Sequence, residues 1–115
     1  MADSSPPVRN TRALVNLPLR LQRGQVFDLR TTLSHPMETG QRVGASGERV
    51  ARDIVTRFEA RLDGSLVFAA DLFPAITANP YLAFPLRIER NAVLDLQWRG
   101  DHGFEHRETV NLVVE

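Results

Sequence analysis

The stretch "DIVTRFEARLDGSLVFAADL", Asp53 to Leu72, decides the fold class. Ile54, Thr56, Phe58, Ala60 and Leu62 alternate with Arg57, Glu59 and Arg61. That period of two describes a strand with one face on a core and one in water. Asp63-Gly64 follows at once and is the strongest two-residue hairpin signal in the chain. Ser65 to Leu72 is then the return strand, with Leu66 and Phe68 expected to point inward.

The same period recurs on both sides of this hairpin. Upstream, a strand is expected over Leu14 to Leu21, interrupted by Pro18. The turn Arg23-Gly24-Gln25 comes next. Val26 to Leu33 then sets Phe27, Leu29, Thr31 and Leu33 against Asp28, Arg30 and Thr32. Ser34 to Arg52 has no apolar face of its own and reads as a long loop or an irregular hairpin around Gly44-Ala45-Ser46-Gly47. Downstream, Phe73 to Pro80 connects to Tyr81–Ile88, with Leu82, Phe84, Leu86 and Ile88 on one parity. Glu89-Arg90-Asn91 turns into Val93–Trp98, with Leu94, Leu96 and Trp98 inward. Arg99 to Gly103 turns again, and Phe104 to Val114 closes the chain with Val110, Leu112 and Val114 on one face. About seven strands with regular turn signals predict an all-β fold, an immunoglobulin-like antiparallel β-sandwich. All seven glycines fall in expected turns. Pro18 and Pro85 fall inside expected strands, which should therefore be edges or bulged there, since proline cannot donate to a ladder. Residues 1–12 carry Ser4, Ser5, Pro6 and Pro7 without periodicity and read as a flexible N-terminal tail before a domain over residues 13–115.

Composition narrows the function. At 115 residues the chain makes one domain large enough to bury a core without cross-links. It has no cysteine, so it offers neither a thiol nucleophile nor a thiolate metal site, and it cannot carry sulfur covalently on a thiol of its own. The formal net charge is zero and the basic residues, all arginine, are scattered. That gives no footprint for nucleic acid or an anionic membrane. No apolar run reaches transmembrane length. The first twelve residues contain neither an apolar signal core nor an Arg-Arg pair.

Reactive constellations are thin. There is no phosphate-binding glycine loop and no nucleophile elbow. His102 and His106 with Glu105 or Glu108 suggest a metal site only superficially. On a strand, i and i+4 lie about 13 Å apart, too far to share one ion. No cofactor is implied. His35 and Glu38 could pair for acid–base work, but in a polar loop they are better read as hydrogen-bonding to backbone. Trp98, at an inward position, is expected in the core. Read this far, the chain is an interaction domain without a named partner.

The loop "HPMETGQR", His35 to Arg42, says more. Together with "NPY", Asn79 to Tyr81, and the order "RGQVFDLRTTLSHPMETG", "LDG", "ANPYLAF" and a strand ending at Trp98, it resembles the SoxZ family from about Leu14 onward. The resemblance implies a non-catalytic subunit of the SoxYZ sulfur carrier heterodimer in periplasmic thiosulfate oxidation. Its SoxY-like partner would carry sulfur intermediates on a cysteine of a flexible C-terminal arm and make transient contact with other Sox enzymes. It also implies export as a passenger on the partner's signal. The alternative is a SoxZ-like accessory interaction module in another periplasmic oxidation pathway. One turn departs from the family pattern: in Trp98-Arg99-Gly100-Asp101 the aspartate stands one position late, which leaves a role for Asp101 open. The motif residues His35, Pro36, Met37, Glu38, Thr39, Gly40, Arg42, Asn79, Pro80 and Tyr81 are the candidates for a partner interface or an organising loop. Met37 is expected to be exposed by the turn and Gly40 to take positive φ. Tyr81, Ala83 and Val113, apolar on outward positions, are further candidates for a partner patch.

Overall fold

The computed structural model describes residues 13–115; the tail expected over residues 1–12 lies outside them. Seven strands run in chain order: β1 Ala13–Asn16, β2 Val26–Leu33, β3 Val55–Leu62, β4 Ser65–Asp71, β5 Tyr81–Arg87, β6 Ala92–Gly100 and β7 Glu105–Leu112. They form two antiparallel sheets, β1-β2-β5 and β4-β3-β6-β7. Among the described residues no helix is long and apolar enough to cross a membrane.

The inward parity of each strand fills the space between the sheets. Leu29 and Leu33 of β2, Phe84 of β5, Phe58 and Ala60 of β3, and Leu94, Leu96 and Trp98 of β6 are buried in one cluster. Aromatic rings tie the layers together. Phe68 of β4 stacks on Phe84 of β5 with centroids 4.5 Å apart, and Phe58 lies 5.0 Å from Trp98. These are the offset and tilted separations at which ring pairs attract.

Proline placement follows the hydrogen-bonding rule. Pro85 sits in β5, an edge strand of its sheet. The expected first strand is shorter than its apolar run. β1 stops at Asn16, before Pro18, and Leu21 instead makes a lone parallel bridge to Val114.

Three local expectations are corrected. The register slips between Ala60 and Arg61, so Ala60 faces Phe68 while Arg61 faces Leu66. Leu66 thus points outward and is 48% exposed, although its parity predicted the core. A second slip between Val55 and Arg57 buries Val55 beside Ile54, while Thr56 is half-buried and donates to the Arg99 carbonyl. Such bulges are invisible to a strict alternation rule. Finally, Gly100 ends β6 rather than lying in a turn. A Cβ there would stand 2.4 Å from the Ile54 carbonyl oxygen, so the close approach of two backbones requires glycine.

Candidate functional site

The segment Ser34–Arg52 is the irregular hairpin that its composition suggested. Val43 bridges Arg49, and the Val50 N–H donates to the Arg42 carbonyl. Its first part, the motif loop, is drawn into the sandwich. His35 is fully buried. Its backbone N–H donates to Asn79 Oδ1 (3.0 Å), and its carbonyl accepts the Asn79 N–H (2.7 Å). The two motifs recognised in the sequence, 44 residues apart, are therefore hydrogen-bonded to each other. The His35 ring stands edge-on to Phe104 with centroids 4.8 Å apart. Its Nδ1 accepts the Met37 N–H (2.9 Å), and its Nε2 faces Asp53 Oδ1 at 3.7 Å.

Met37 corrects an expectation. It is buried, at 4% exposure, with φ +51°, and its thioether sulfur accepts the Val55 N–H at 3.2 Å. The left-handed backbone turns the side chain under the loop instead of out of it. Sulfur then satisfies a main-chain donor at the bulged start of β3. Glu38 pairs its backbone with Asp53 as a two-residue bridge, and its carboxylate takes a two-point contact from Arg42. Thr39 Oγ1 accepts the Gln41 N–H. Gly40 has φ +87°, as expected, and a Cβ there would meet the Arg52 Cβ at 3.2 Å. Pro80 is buried, whereas Pro36, Arg42, Asn79 and Tyr81 are exposed. His35 and Glu38 thus lie in one loop, with His35 engaged by backbone and Glu38 by Arg42.

The turn with the displaced aspartate has a structural role the sequence left open. Asp101 accepts two hydrogen bonds from the Arg52 guanidinium (2.9 and 2.8 Å) and one from the Ile54 N–H (3.1 Å). The Arg52 contact, helped by the Ile54 N–H, holds the Asp101 carboxyl below the usual carboxylate value against the opposing effect of burial. His102 Nε2 contacts the Arg52 carbonyl at 2.8 Å. His106 lies apart from it and contacts Glu108 (2.6 Å). No group of three potential metal-ligating side chains gathers among the described residues.

The two outer sheet faces differ in kind. On the four-stranded sheet, Glu59 is a hub: Arg57, Arg61 and Arg99 approach it at 3.2, 3.1 and 3.2 Å. These contacts, Arg57 first, hold its carboxyl below the usual value. Arg57 also reaches Asp71, Thr109 donates to Asp95, and Gln97 and Arg107 both donate to Glu105. On the three-stranded sheet, register places Leu14, Thr32 and Tyr81 in one cross-strand row, and Arg30 and Ala83 in the next. Asp28 opposes Pro85, and Val26 opposes Arg87. Leu14 is 51%, Tyr81 58% and Val26 64% exposed. Tyr81 and Ala83 therefore share a face, while Val113, also exposed, lies just past β7 at the other sheet. The single-residue pattern named Tyr81 and Ala83, but only register could add Leu14 and Val26 to them.

A family model described as "Sulphur oxidation protein SoxZ" matches residues 15–111. No curated protein matches the chain in sequence. Among solved structures, a superoxide reductase (neelaredoxin) from Ignicoccus hospitalis is similar at TM-score 0.69 with 18% identity, covering 91% of this chain and 82% of that one. A candidate superoxide reductase from Thermotoga maritima is similar at TM-score 0.66 with 10% identity, covering 90% and 85%. At such identities these likenesses show the sandwich fold alone.

Proposed function

The chain belongs to the SoxZ family of sulfur oxidation proteins, and from that premise we propose that it is the non-catalytic subunit of a periplasmic SoxYZ sulfur carrier heterodimer. The SoxY-like partner supplies the thiol, in keeping with a chain that has no cysteine. This chain supplies a folded surface on which the partner is held while its carrier arm visits other Sox enzymes.

The observation that carries the reading is the outer face of β1-β2-β5. Leu14, Val26, Tyr81, Ala83 and Pro85 give it apolar area on a sheet whose opposite side is already occupied by the core. Tyrosine is among the usual anchors of protein interfaces. The charged face of the other sheet has its polar groups paired internally and gains less from a partner. Tyr81 is the member of the motif set placed to anchor the contact. His35, Met37 and Pro80 are buried, and Asn79, hydrogen-bonded to His35, joins the motif loop to the start of β5. The committed geometry of His35 and Glu38 also speaks for binding over turnover.

Co-expression with the SoxY-like chain, followed by a sizing column with light scattering, tests the reading. A single one-to-one species with a reactive partner cysteine is the expected result. Two separate peaks would overturn it and favour the accessory-module reading. Made alone, the chain is expected to self-associate at high concentration through the same face.

A further inference from the structure

We propose that His35 is a proton-operated latch that holds the motif loop closed on β3 and opens it in acid. The geometry fixes which protons the ring carries in the closed state. Nδ1 accepts the Met37 N–H at 2.9 Å, so it holds no proton, and in the neutral ring the single proton is on Nε2, facing Asp53. Adding a second proton at Nδ1 puts two donors face to face at that distance. The Met37 N–H must then move away, and a fully buried site leaves it no water to turn to.

Met37 does not move alone. Its sulfur accepts the Val55 N–H, and the next residue, Glu38, is bridged through its backbone to Asp53. Opening at His35 therefore loosens three backbone contacts along the start of β3. His35 is also held through two hydrogen bonds to Asn79, two residues before Tyr81. The proton signal would thus reach the outer face of the three-stranded sheet through the backbone.

The charged surroundings suit two states. From the segment leading into β3, Asp53 faces Nε2 at 3.7 Å, beyond hydrogen-bond reach but close enough to attract an imidazolium. Asp101, in the turn before β7, is closed on Arg52, and Glu38 is closed on Arg42. The segment from Leu72 to Pro80, which provides Asn79, contains no ionisable side chain. An acid form with the ring drawn toward Asp53 and Met37 released is the alternative arrangement. Histidine is the side chain whose ordinary titration lies nearest neutrality, and burial disfavours the imidazolium in the closed loop, so the second proton enters as the loop opens. The latch is a property of the chain by itself, whether or not a partner is bound.

The test is nuclear magnetic resonance of the full chain between pH 7.5 and 4.5. At pH 7.5 the His35 ring should show an unprotonated Nδ1. As His35 takes up its second proton, hydrogen-exchange protection of the Met37, Val55 and Asn79 amides should fall together, about tenfold for each pH unit of titration. His35→Asn offers an oxygen in place of Nδ1 but cannot titrate, so it should remove the acid response at these amides; His102→Asn should leave it intact. Should His35→Asn fail to fold, Asp53→Asn serves instead. It removes the carboxylate that favours the imidazolium, and opening should then require a lower pH. A protonated Nδ1 at pH 7.5, protection at Met37 and Val55 that survives titration of His35, or an unchanged acid response in the folded His35→Asn chain would overturn the proposal.

Discussion

Two sheets built on the same alternation present opposite outer faces. On β4-β3-β6-β7 the outward positions carry arginines and carboxylates arranged to satisfy one another around Glu59, with Leu66 and Val93 exposed on the same sheet. On β1-β2-β5 the outward positions include Leu14, Val26, Tyr81, Ala83 and Pro85, with Asp28, Arg30 and Thr32 spaced along β2 and Arg87 at the end of β5. The inward faces are equivalent; both sheets contribute large apolar side chains to one core. The shared core therefore does not account for the difference. The difference teaches that outward residues divide by what they find to pair with: those around Glu59 satisfy one another, and Tyr81, Leu14 and Val26 leave apolar area open.

The comparison breaks most directly at Tyr81. Tyr81→Asp places a charge on the aromatic anchor of the proposed contact and should weaken the heterodimer by about 2 kcal/mol or more, roughly thirtyfold in Kd. The chain's own melting temperature should scarcely change. Titration calorimetry against the SoxY-like chain reads this effect, and an unchanged Kd would move the interface elsewhere.

A change beneath the faces separates fold from binding. Met37→Leu keeps the volume but removes the sulfur that accepts the Val55 N–H, leaving a buried donor unpaired. The expected cost is about 1–2 kcal/mol in urea unfolding. If stability is untouched, the sulfur contact contributes nothing and the motif methionine needs another explanation.

Glu59→Gln should act on the charged face alone. It leaves Arg57, Arg61 and Arg99 facing one another without their shared carboxylate, so the melting temperature should fall while partner affinity stays the same. The acid limb carries the same signature. The Glu59 and Asp101 carboxyls lie below their unfolded values in the folded chain. Their contribution is thus complete above about pH 5, beyond both unfolded values, and is lost as pH falls through the lower folded values. Thermal melts from pH 5 down to pH 2 should show a decline that is shallower in Glu59→Gln.

Salt gives the smallest effect. The arginines around Glu59 are partly exposed, although Glu59 itself is buried, so high salt screens these ion pairs only in part, with a Debye length of about 3 Å at 1 M. Salt should therefore lower the melting temperature slightly and change little in a partner contact anchored on Tyr81, Leu14 and Val26. A heterodimer that dissociates in salt would point to the charged face as the interface.

The sequence makes the sandwich legible because alternation is a local property: Leu94, Leu96 and Trp98 are buried as their parity requires. It fails at Leu66 and Val55 because a bulge shifts parity by one residue, and that shift is set by the partner strand. Met37 is a failure of a different kind. A non-glycine residue with positive φ is uncommon, so composition gives no reason to turn this side chain inward. The contacts of Asp101 with Arg52 and of His35 with Asn79 span 49 and 44 residues. Resemblance could mark the second pair as belonging together, but only the fold explains how.

The most direct test of the central claim is hydroxyl-radical footprinting of side chains, on this chain alone and in the proposed one-to-one complex with a SoxY-like partner. Tyr81, Leu14 and Val26 should lose labelling in the complex, while Val93 and Leu66, exposed on the other sheet, keep theirs. Full labelling of Tyr81 in an intact complex, with protection on the four-stranded sheet instead, would contradict the account.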